Sequence, residues 1–574
     1  MAIIGIDLGT TNSLAAVWRN GKSELIPNAA GEFLTPSAVS VDEDGSILVG
    51  RAARDRLISA PDRTAARFKR FMGTEKTYTL AGRTFRPEEL SALVLRRLRE
   101  DAEAYLGEPV AEAVVSVPAY FAEAQRAATK RAAALAGLKV ERLVNEPSAA
   151  AVAGHISEGE RDKVCLVFDL GGGTLDVSLV ERFENVVSVT AVNGDNRLGG
   201  QDFDHAVARG FCEDCGLDFE ALTARQKEMI TRQAETCKMA LTHQEIVGMS
   251  VDDGVISASL TLSNEWLIRK SGALFQRMTA PIQRVFLDAG ISPQEVDDLV
   301  MVGGSSHMPV VRRYIARFLG REPARDSRPD TAIALGAGIC AGIKARAGDL
   351  KALVLTDVCP FTLGVSNYNI SEPSRDLMSP IIERNSVLPT SKMRVYYTVH
   401  DGQEKVDIRV YQGENRYCAD NTQLGQLRLK VPPAPRGQQS VKIRFTYDIN
   451  GLLEVEAVSE AGQTERLVLQ NKDMTPEEAR LRLQELSKLK LHPREQEEYR
   501  AMLARGERLY AATIGGLREE VGRMLDWYQQ QLSTQETLRI AKATKKIDQF
   551  FDQVEAYMGD AALPPPEPFE EDDL

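Results

Sequence analysis

Two stretches far apart in the chain carry the same pattern, and together they constrain the fold more than anything else in the sequence. Residues 3–8 (IIGIDL) form an apolar run of strand length, Gly9-Thr10-Thr11-Asn12-Ser13 make a turn, and Leu14-Ala15-Ala16-Val17-Trp18 form a second apolar run. About 160 residues later the pattern returns as Val164 to Leu170 (VCLVFDL), Gly171-Gly172-Gly173-Thr174 and Leu175 to Val180. Both copies place Asp-Leu-Gly at the turn. Strand, tight turn and strand make a hairpin rather than a strand-to-helix unit. Two copies in one chain predict a duplicated α/β domain with two facing lobes. A third turn-rich unit, Asp298 to His307, leads into a helical pattern from Val310 to Leu319, and further helical patterns run from Pro87 to Leu106 and from Phe121 to Ala136.

Turns built from Gly and Thr expose backbone N–H groups and hydroxyls into one concavity, and such a nest binds phosphate without a lysine in the loop. The Walker pattern GxxxxGK[ST] is absent, which excludes a P-loop protein. No GxGxxG opens the first unit, which disfavours dinucleotide binding. Two facing nests could grip a polyphosphate from both sides. Asp7, Asp169 and Asp176 sit at their edges and would hold Mg²⁺ through water, because Mg²⁺ keeps much of its hydration. One such turn alone is explained as well by a plain hairpin; two with matching Asp and Thr favour the nest. Lys69, in Ala65-Ala66-Arg67-Phe68-Lys69-Arg70, reads by itself as a solvated basic residue, and Glu146, just before Pro147, reads as a helix cap.

The character of the chain changes near residue 348. From there to about 470 the text is short strands and turn signals: Met393 to Val399, Val406 to Val410, Val441 to Tyr447 and Leu452 to Val458, separated by Asp401-Gly402, Gln412-Gly413, Asn450-Gly451 and Pro432 to Gly437. This predicts an all-β domain. At Met474 the text changes again. Thr475-Pro476-Glu477-Glu478 is a helix start, with a cap residue followed by Pro at the first helical position. The segment to about 558 is charged and amphipathic, with breaks expected at His492-Pro493 and Gly515-Gly516, and the tail from Leu563 to Leu574 is expected to be disordered.

Composition narrows the partners. Lys plus Arg number 70 against 82 Asp plus Glu, a net charge of −12, which argues against a nucleic-acid or anionic-membrane binder. Aromatics are only 6%, too few for a platform that stacks single strands. The 7 Cys are odd in number and scattered, which fits reduced thiols and a cytosolic setting. Cys212 and Cys215 have a CxxC spacing but no second pair, so they read as chance spacing on a helix rather than a zinc site. No stretch approaches the roughly 18–20 apolar residues of a membrane span, and the apolar start is too short for a signal peptide.

Taken in order, the strings resemble the seventy-kilodalton heat-shock chaperone family, the DnaK type. The matching stretches are IGIDLGTTNS near the start, VSVPAYF (115–121), NEPSAAA (145–151), DLGGGTLDVS (169–178), LGGQDFD (198–204), VGGSSHMPVV (302–311), DVCPFTLGV (357–365), ADNTQLGQ (419–426) and PPAPRG (432–437). The short length and truncated helical end look most like the HscC branch. The resemblance implies an actin-like nucleotide-binding domain (1–348), an interdomain linker (349–357), a β-sandwich that binds peptide (358–472), a helical lid (473–560) and an acidic tail (561–574). It implies ATP and ADP, Mg²⁺ and K⁺ as ligands, and hydrolysis of ATP coupled to peptide binding and release.

Residue by residue, the resemblance puts Gly9, Thr10, Thr11 and Asn12 in the first phosphate hairpin and Gly171, Gly172, Gly173 and Thr174 in the second. Asp7, Glu146 and Asp169 match the acids around Mg²⁺ and the attacking water, Asp176 an acid near the phosphates and a monovalent ion, and Lys69 the lysine that orients the water. Gly199, Gly200, Glu235, Lys238, Thr242, Gly303, Gly304, Ser305 and Asp330 complete the nucleotide site. Two positions depart from the pattern: Met239 and His307 stand where the family has arginines over the adenine. Losing two guanidinium planes should loosen nucleotide binding and speed exchange. The stretch from Thr242 to Leu262 also lacks an insertion found in many bacterial members, so dependence on a GrpE-type exchange factor is doubtful.

In the β region Val365, Tyr396, Val399, Val406 and Ile408 match residues lining the peptide channel, and Tyr368 a position that arches over it. An extended polypeptide client would bind there through main-chain hydrogen bonds. The competing reading is that these are sandwich-core residues. Leu353, Val354, Leu355 and Asp357 lie in the linker, which reads either as a strand end or, by the resemblance, as a switch segment. Arg142, Asn145, Ser148 and Asp357 match positions that engage a J-domain co-chaperone. The EEDDL ending differs from the EEVD of eukaryotic cytosolic members, so partners reading that ending are not expected. The alternative functions are a regulatory relative that binds ATP with little cycling, and a metabolite kinase with an actin-like domain; the kinase leaves 357–558 unexplained.

Overall fold

The computed structural model describes residues 2–158, 162–183, 186–324, 328–347, 350, 354–369, 372, 374–449, 451–469, 497–534 and 536–559. The chain divides into two compact units, Met1–Phe361 and Thr362–Leu574.

The first unit is built on two sheets with the same core topology. In the first, Ala2–Asp7 runs parallel to Val110–Val117 and antiparallel to Asn12–Arg19, which turns back into Lys22–Ile26. In the second, Lys163–Leu170 runs parallel to Asp298–Val302 and antiparallel to Leu175–Phe183, which turns back into Val186–Asp195. The repeated sequence pattern is therefore a repeated sheet, and each copy places its glycine-rich turn between the central strand and its antiparallel neighbour. The strands are apolar on both faces because helices cover them. Val114, Val115, Val167 and Phe168 are all 0% exposed.

The helices Glu146–Glu158 and Ala332–Lys344 pack on each other, and the latter also packs on the first sheet. The small residues of AIALGAGICAGIK allow this close approach. A side chain on Gly5 would collide with the backbone at Ala337, and one on Gly336 with the backbone of Ala149. Helices also form where the sequence predicts them at Pro87–Leu106 and Pro309–Leu319. The pattern expected to begin at Phe121 becomes helical only at Glu123, because Phe121 is held in a turn by a bond from its N–H to Pro118 O.

In the second unit one sheet has the order Leu377–Ile382, Leu363–Asn367, Lys405–Gln412, Thr422–Lys430, and a second has the order Thr390–Tyr397, Ser440–Tyr447, Leu453–Ser459, Thr464–Leu469. Neighbouring strands in both are antiparallel. The expected strand at Met393 starts three residues early, at Thr390, where buried Ser391 is satisfied by Thr446 at 3.0 Å. Among the described residues three helices follow, Glu497–Ala512, Gly515–Thr534 and Thr537–Gly559, around a core that includes Leu509, Tyr528, Phe551 and Val554. Arg505 holds the first to the third through Asp548 at 2.5 Å, Asp552 at 2.6 Å and Glu555 at 2.7 Å. The break expected at Gly515-Gly516 falls at Thr513-Ile514, and the two glycines open the second helix. The cap at Thr475, the break at His492-Pro493 and the acidic tail lie outside the described residues.

Candidate functional site: a cleft between two glycine-rich hairpins

The two hairpins meet across a cleft. The hydroxyl of Thr11 occupies the place a Cβ on Gly172 would take, and the methyl of Thr10 lies 2.7 Å from where one on Gly173 would sit. A cavity of about 540 Å³ opens between them. On the side of the two hairpin turns it is lined by Asp7, Gly9, Thr10, Thr11, Asn12, Lys69, Glu146, Asp169, Gly171, Gly172 and Thr174. On the other side it is lined by Gly200, Glu235, Lys238, Met239, Thr242, Gly303, Gly304, Ser305, His307 and Asp330. Three expected site residues, Gly173, Gly199 and Asp176, stand behind this wall; Gly199 packs directly on the backbone of Gly173.

The floor is a cluster of buried charge. Asp7, Lys69, Glu146, Asp169 and Asp176 are all below 10% exposed. Lys69 Nζ donates to Glu146 Oε1 at 2.8 Å, and its head also lies over the Phe121 ring. Burial works to lower the Lys69 pKa, but Glu146, Asp7 and Asp169 outweigh it and raise it. Asp7 accepts from Ser116 Oγ at 2.9 Å and is pushed up to about 6, first by burial and then by Glu146. Asp169 is raised well above the usual range by burial, then by Glu146. Asp176 rises to about 7, by burial first and then by Glu146, although the Tyr120 N–H donates to its Oδ1 at 3.1 Å.

One lysine faces four acids here, so the site is short of positive charge. The Oδ2 of Asp176 has no hydrogen-bond partner. Hard carboxylate oxygens in this number suit Mg²⁺. Among the described residues no three His, Cys, Asp or Glu side chains are arranged to hold a metal ion directly. Cys212 and Cys215 are both free thiols.

The opposite wall differs in character. Lys238 pairs with Asp204 at 2.6 Å and donates to Gly200 O at 3.1 Å. Glu235 is engaged by Arg54 at 3.1 Å, and Arg232 pairs with Asp55 at 3.1 Å, so two ion pairs join the rims of the cleft. Met239 is 59% exposed on the wall. His307 Nε2 lies 2.9 Å from Asp330 Oδ2. Ser305 Oγ donates to Gly171 O at 2.9 Å and so ties this wall to the second hairpin.

The Hsp70 protein family model matches residues 3–79 and 75–561. The chain is also 41% identical over 473 residues to the Chaperone protein DnaK of Thermotoga petrophila, covering 79% of this chain and 78% of that protein. The chain belongs to the Hsp70 family. Its members are ATP-binding chaperones, and the cleft is where this chain brings its two hairpin turns together.

In this Hsp70 the described part of the segment expected to be a linker is a strand. Val354–Val358 is a strand parallel to Val186–Asp195, pairing Val354 with Val186, Leu355 with Val187 and Thr356 with Ser188. It extends the sheet that carries the second hairpin. Leu353 lies outside the described residues. Asp357 Oδ2 accepts from Ser148 Oγ at 3.2 Å, and Asn145 also bonds to Asp357; burial nevertheless raises the Asp357 pKa. Asn145 is held in turn by Arg126 Nη2 at 2.5 Å. Arg142 is half-buried beside the short strand Leu143–Asn145. Sequence reasoning missed the roles of Arg126, Arg54, Arg232 and Asp204, because no motif in the sequence pairs them with Asn145, Glu235, Asp55 and Lys238.

In the second unit Val365 and Ile408 are 1% and 2% exposed, as core residues would be. Tyr368, Tyr396, Val399 and Val406 are half-buried. Tyr396 Oη lies 2.9 Å from Ser379 Oγ, and Ser379 is the cross-strand partner of Val365. This contact joins the edge strands of the two sheets. The Tyr368 ring meets His400 edge-on at 5.5 Å, which brings the expected arch residue beside Val399.

Among the described residues no helix is long and apolar enough to cross a membrane.

Proposed function

We propose that this Hsp70 is an ATP-driven chaperone that holds extended apolar segments of unfolded proteins and releases them when ATP binds. The observation that carries the reading is the linker strand: it adds to the same sheet whose hairpin lines the cleft. A change at the phosphates therefore has a hydrogen-bonded route to the segment that leads into the second unit.

In the cleft, backbone N–H groups of both hairpins would bind the phosphates of ATP, and Thr10, Thr11 and Thr174 would add hydroxyl donors. Bound Mg²⁺ would neutralise phosphate charge, with Asp7, Asp169 and Glu146 holding it through water. The free oxygen of Asp176 is a place for a monovalent cation such as K⁺. Lys69, fixed by Glu146, would orient water at the γ-phosphorus. The water oxygen would bond to that phosphorus as the bond from phosphorus to the bridging oxygen breaks, the electron pair leaving with ADP and the water's proton passing to the released phosphate, with no covalent intermediate. The rate then rests on positioning and charge stabilisation.

Met239 and His307 give the base a thioether and an imidazole in place of guanidinium planes, so nucleotide is held more loosely than in a typical member. The half-buried side chains around Tyr396, Val399 and Val406 would receive the client's apolar groups. Arg142, Asn145, Ser148 and Asp357 would be read by a J-domain co-chaperone. A cytosolic setting fits the free thiols.

Single-turnover hydrolysis tests this. Lys69→Ala should lose about a hundredfold or more in rate. An unchanged rate would favour a regulatory relative that binds ATP with little cycling.

A further inference from the structure

The turn that carries Lys69 also carries Arg70, and the two side chains diverge. Phe68–Phe71 is a single 3-10 turn, entered through Arg67 with a left-handed φ of 64°. Lys69 goes to Glu146, while Arg70 Nη2 donates to Asp202 Oδ2 at 2.8 Å. Phe68 anchors this turn in the core of the first sheet, and Phe203, beside Asp202, belongs to the core of the second. The pair therefore spans the two halves of the first unit.

Its position relative to the hairpins matters more. The Cγ and Cδ of Arg70 lie 2.9 and 3.0 Å from where a Cβ on Gly173 would sit, so its stem lies against the second hairpin. Asp202 supports that hairpin from behind. The same Oδ2 that holds Arg70 accepts from Gly199 N at 2.8 Å, and Gly199 packs on the Gly173 backbone. Gly200 N and Gln201 N, in the same turn, donate to Gly171 O and Gly172 O at 2.9 Å each. Neither Arg70 nor Asp202 lines the cavity.

We infer that Arg70 and Asp202 form a clasp that sets the second phosphate hairpin against the first, and that they are positioning residues for hydrolysis rather than ligand contacts. The inference rests on the cleft being an ATPase site. Displacing reacting groups by about 1 Å can cost on the order of a hundredfold in rate, so a clasp touching no ligand can still control the reaction.

The test is single-turnover ATP hydrolysis together with ADP affinity, in the full chain. Asp202→Asn keeps an acceptor for Gly199 N and removes the charge that holds Arg70. It should slow hydrolysis at least about tenfold while ADP affinity changes less than about threefold. Arg70→Lys keeps the charge but not the fork, and should fall between that variant and the wild type. The double variant Arg70→Ala with Asp202→Asn should be no slower than Arg70→Ala alone, within about twofold. Wild-type rates in Asp202→Asn, additive losses in the double variant, or a loss of ADP affinity as large as the loss of rate would each overturn the clasp. A wild-type chain that binds ATP and does not hydrolyse it would overturn the ATPase reading, and the clasp with it.

Discussion

Asp176→Asn should make the nucleotide-free protein more stable and at the same time disable it. Asp176 is 2% exposed, has one oxygen without a partner and has a pKa pushed up to about 7 by burial and then by Glu146. A carboxyl whose pKa is raised on folding contributes stability that is fully present below its unfolded value and is lost as pH rises through its folded value. The rise from 3.8 to about 7 corresponds, at about 1.4 kcal/mol per unit, to on the order of 4 kcal/mol against the ionised form at pH 8. Asparagine keeps the oxygen that accepts from Tyr120 N and never ionises. Calorimetric melting without nucleotide or Mg²⁺ should show the variant melting higher than wild type at about pH 8. The gap should shrink as pH falls below 7 toward 4, the window set by this group. Asp7, with a pKa of about 6, adds to the same slope in both proteins. Hydrolysis by the variant should drop about a hundredfold. A variant that melts lower at pH 8, or a gap that does not change with pH, would refute the claim that the acid cluster is strained by its own charge.

Three other outcomes are expected. Restoring Met239→Arg and His307→Arg together should tighten ADP binding about tenfold by calorimetric titration, because each cation over a ring contributes about 0.5–1 kcal/mol; unchanged affinity contradicts the reading of that wall. Asp357→Ala removes the acceptor for Ser148 and Asn145, so stimulation of hydrolysis by peptide should fall while the basal rate stays within about twofold. Tyr396→Phe removes the contact with Ser379, so peptide release measured by fluorescence should quicken about fivefold, the equivalent of one hydrogen bond.

The hairpins were legible in the sequence because each is local: strand, turn and strand lie within some twenty residues, and the turn chemistry names its own ligand. The second sheet could be anticipated from the first for the same reason. Contacts across long separations were not legible. Arg54 reaching Glu235 and Arg70 reaching Asp202 depend on how the lobes close, and a lone arginine looks the same in sequence with or without such a partner. The linker lies between these cases. Its apolar text fits a strand end or a switch segment equally, and only its register with Val186 to Ser188 shows that it is an added strand of the sheet that carries the second hairpin. At Lys238 the sequence named a residue on the cavity wall and missed its commitment to Asp204, because that partner comes from a different helix.

The affinity of an extended apolar peptide, measured with ADP and then with ATP on the same full-length chain, tests the central claim most directly. The linker's place on the sheet of the second phosphate hairpin predicts that ATP weakens peptide binding at least about tenfold, a coupling within the range typical of two-site proteins. Equal affinity in the two nucleotide states would contradict it.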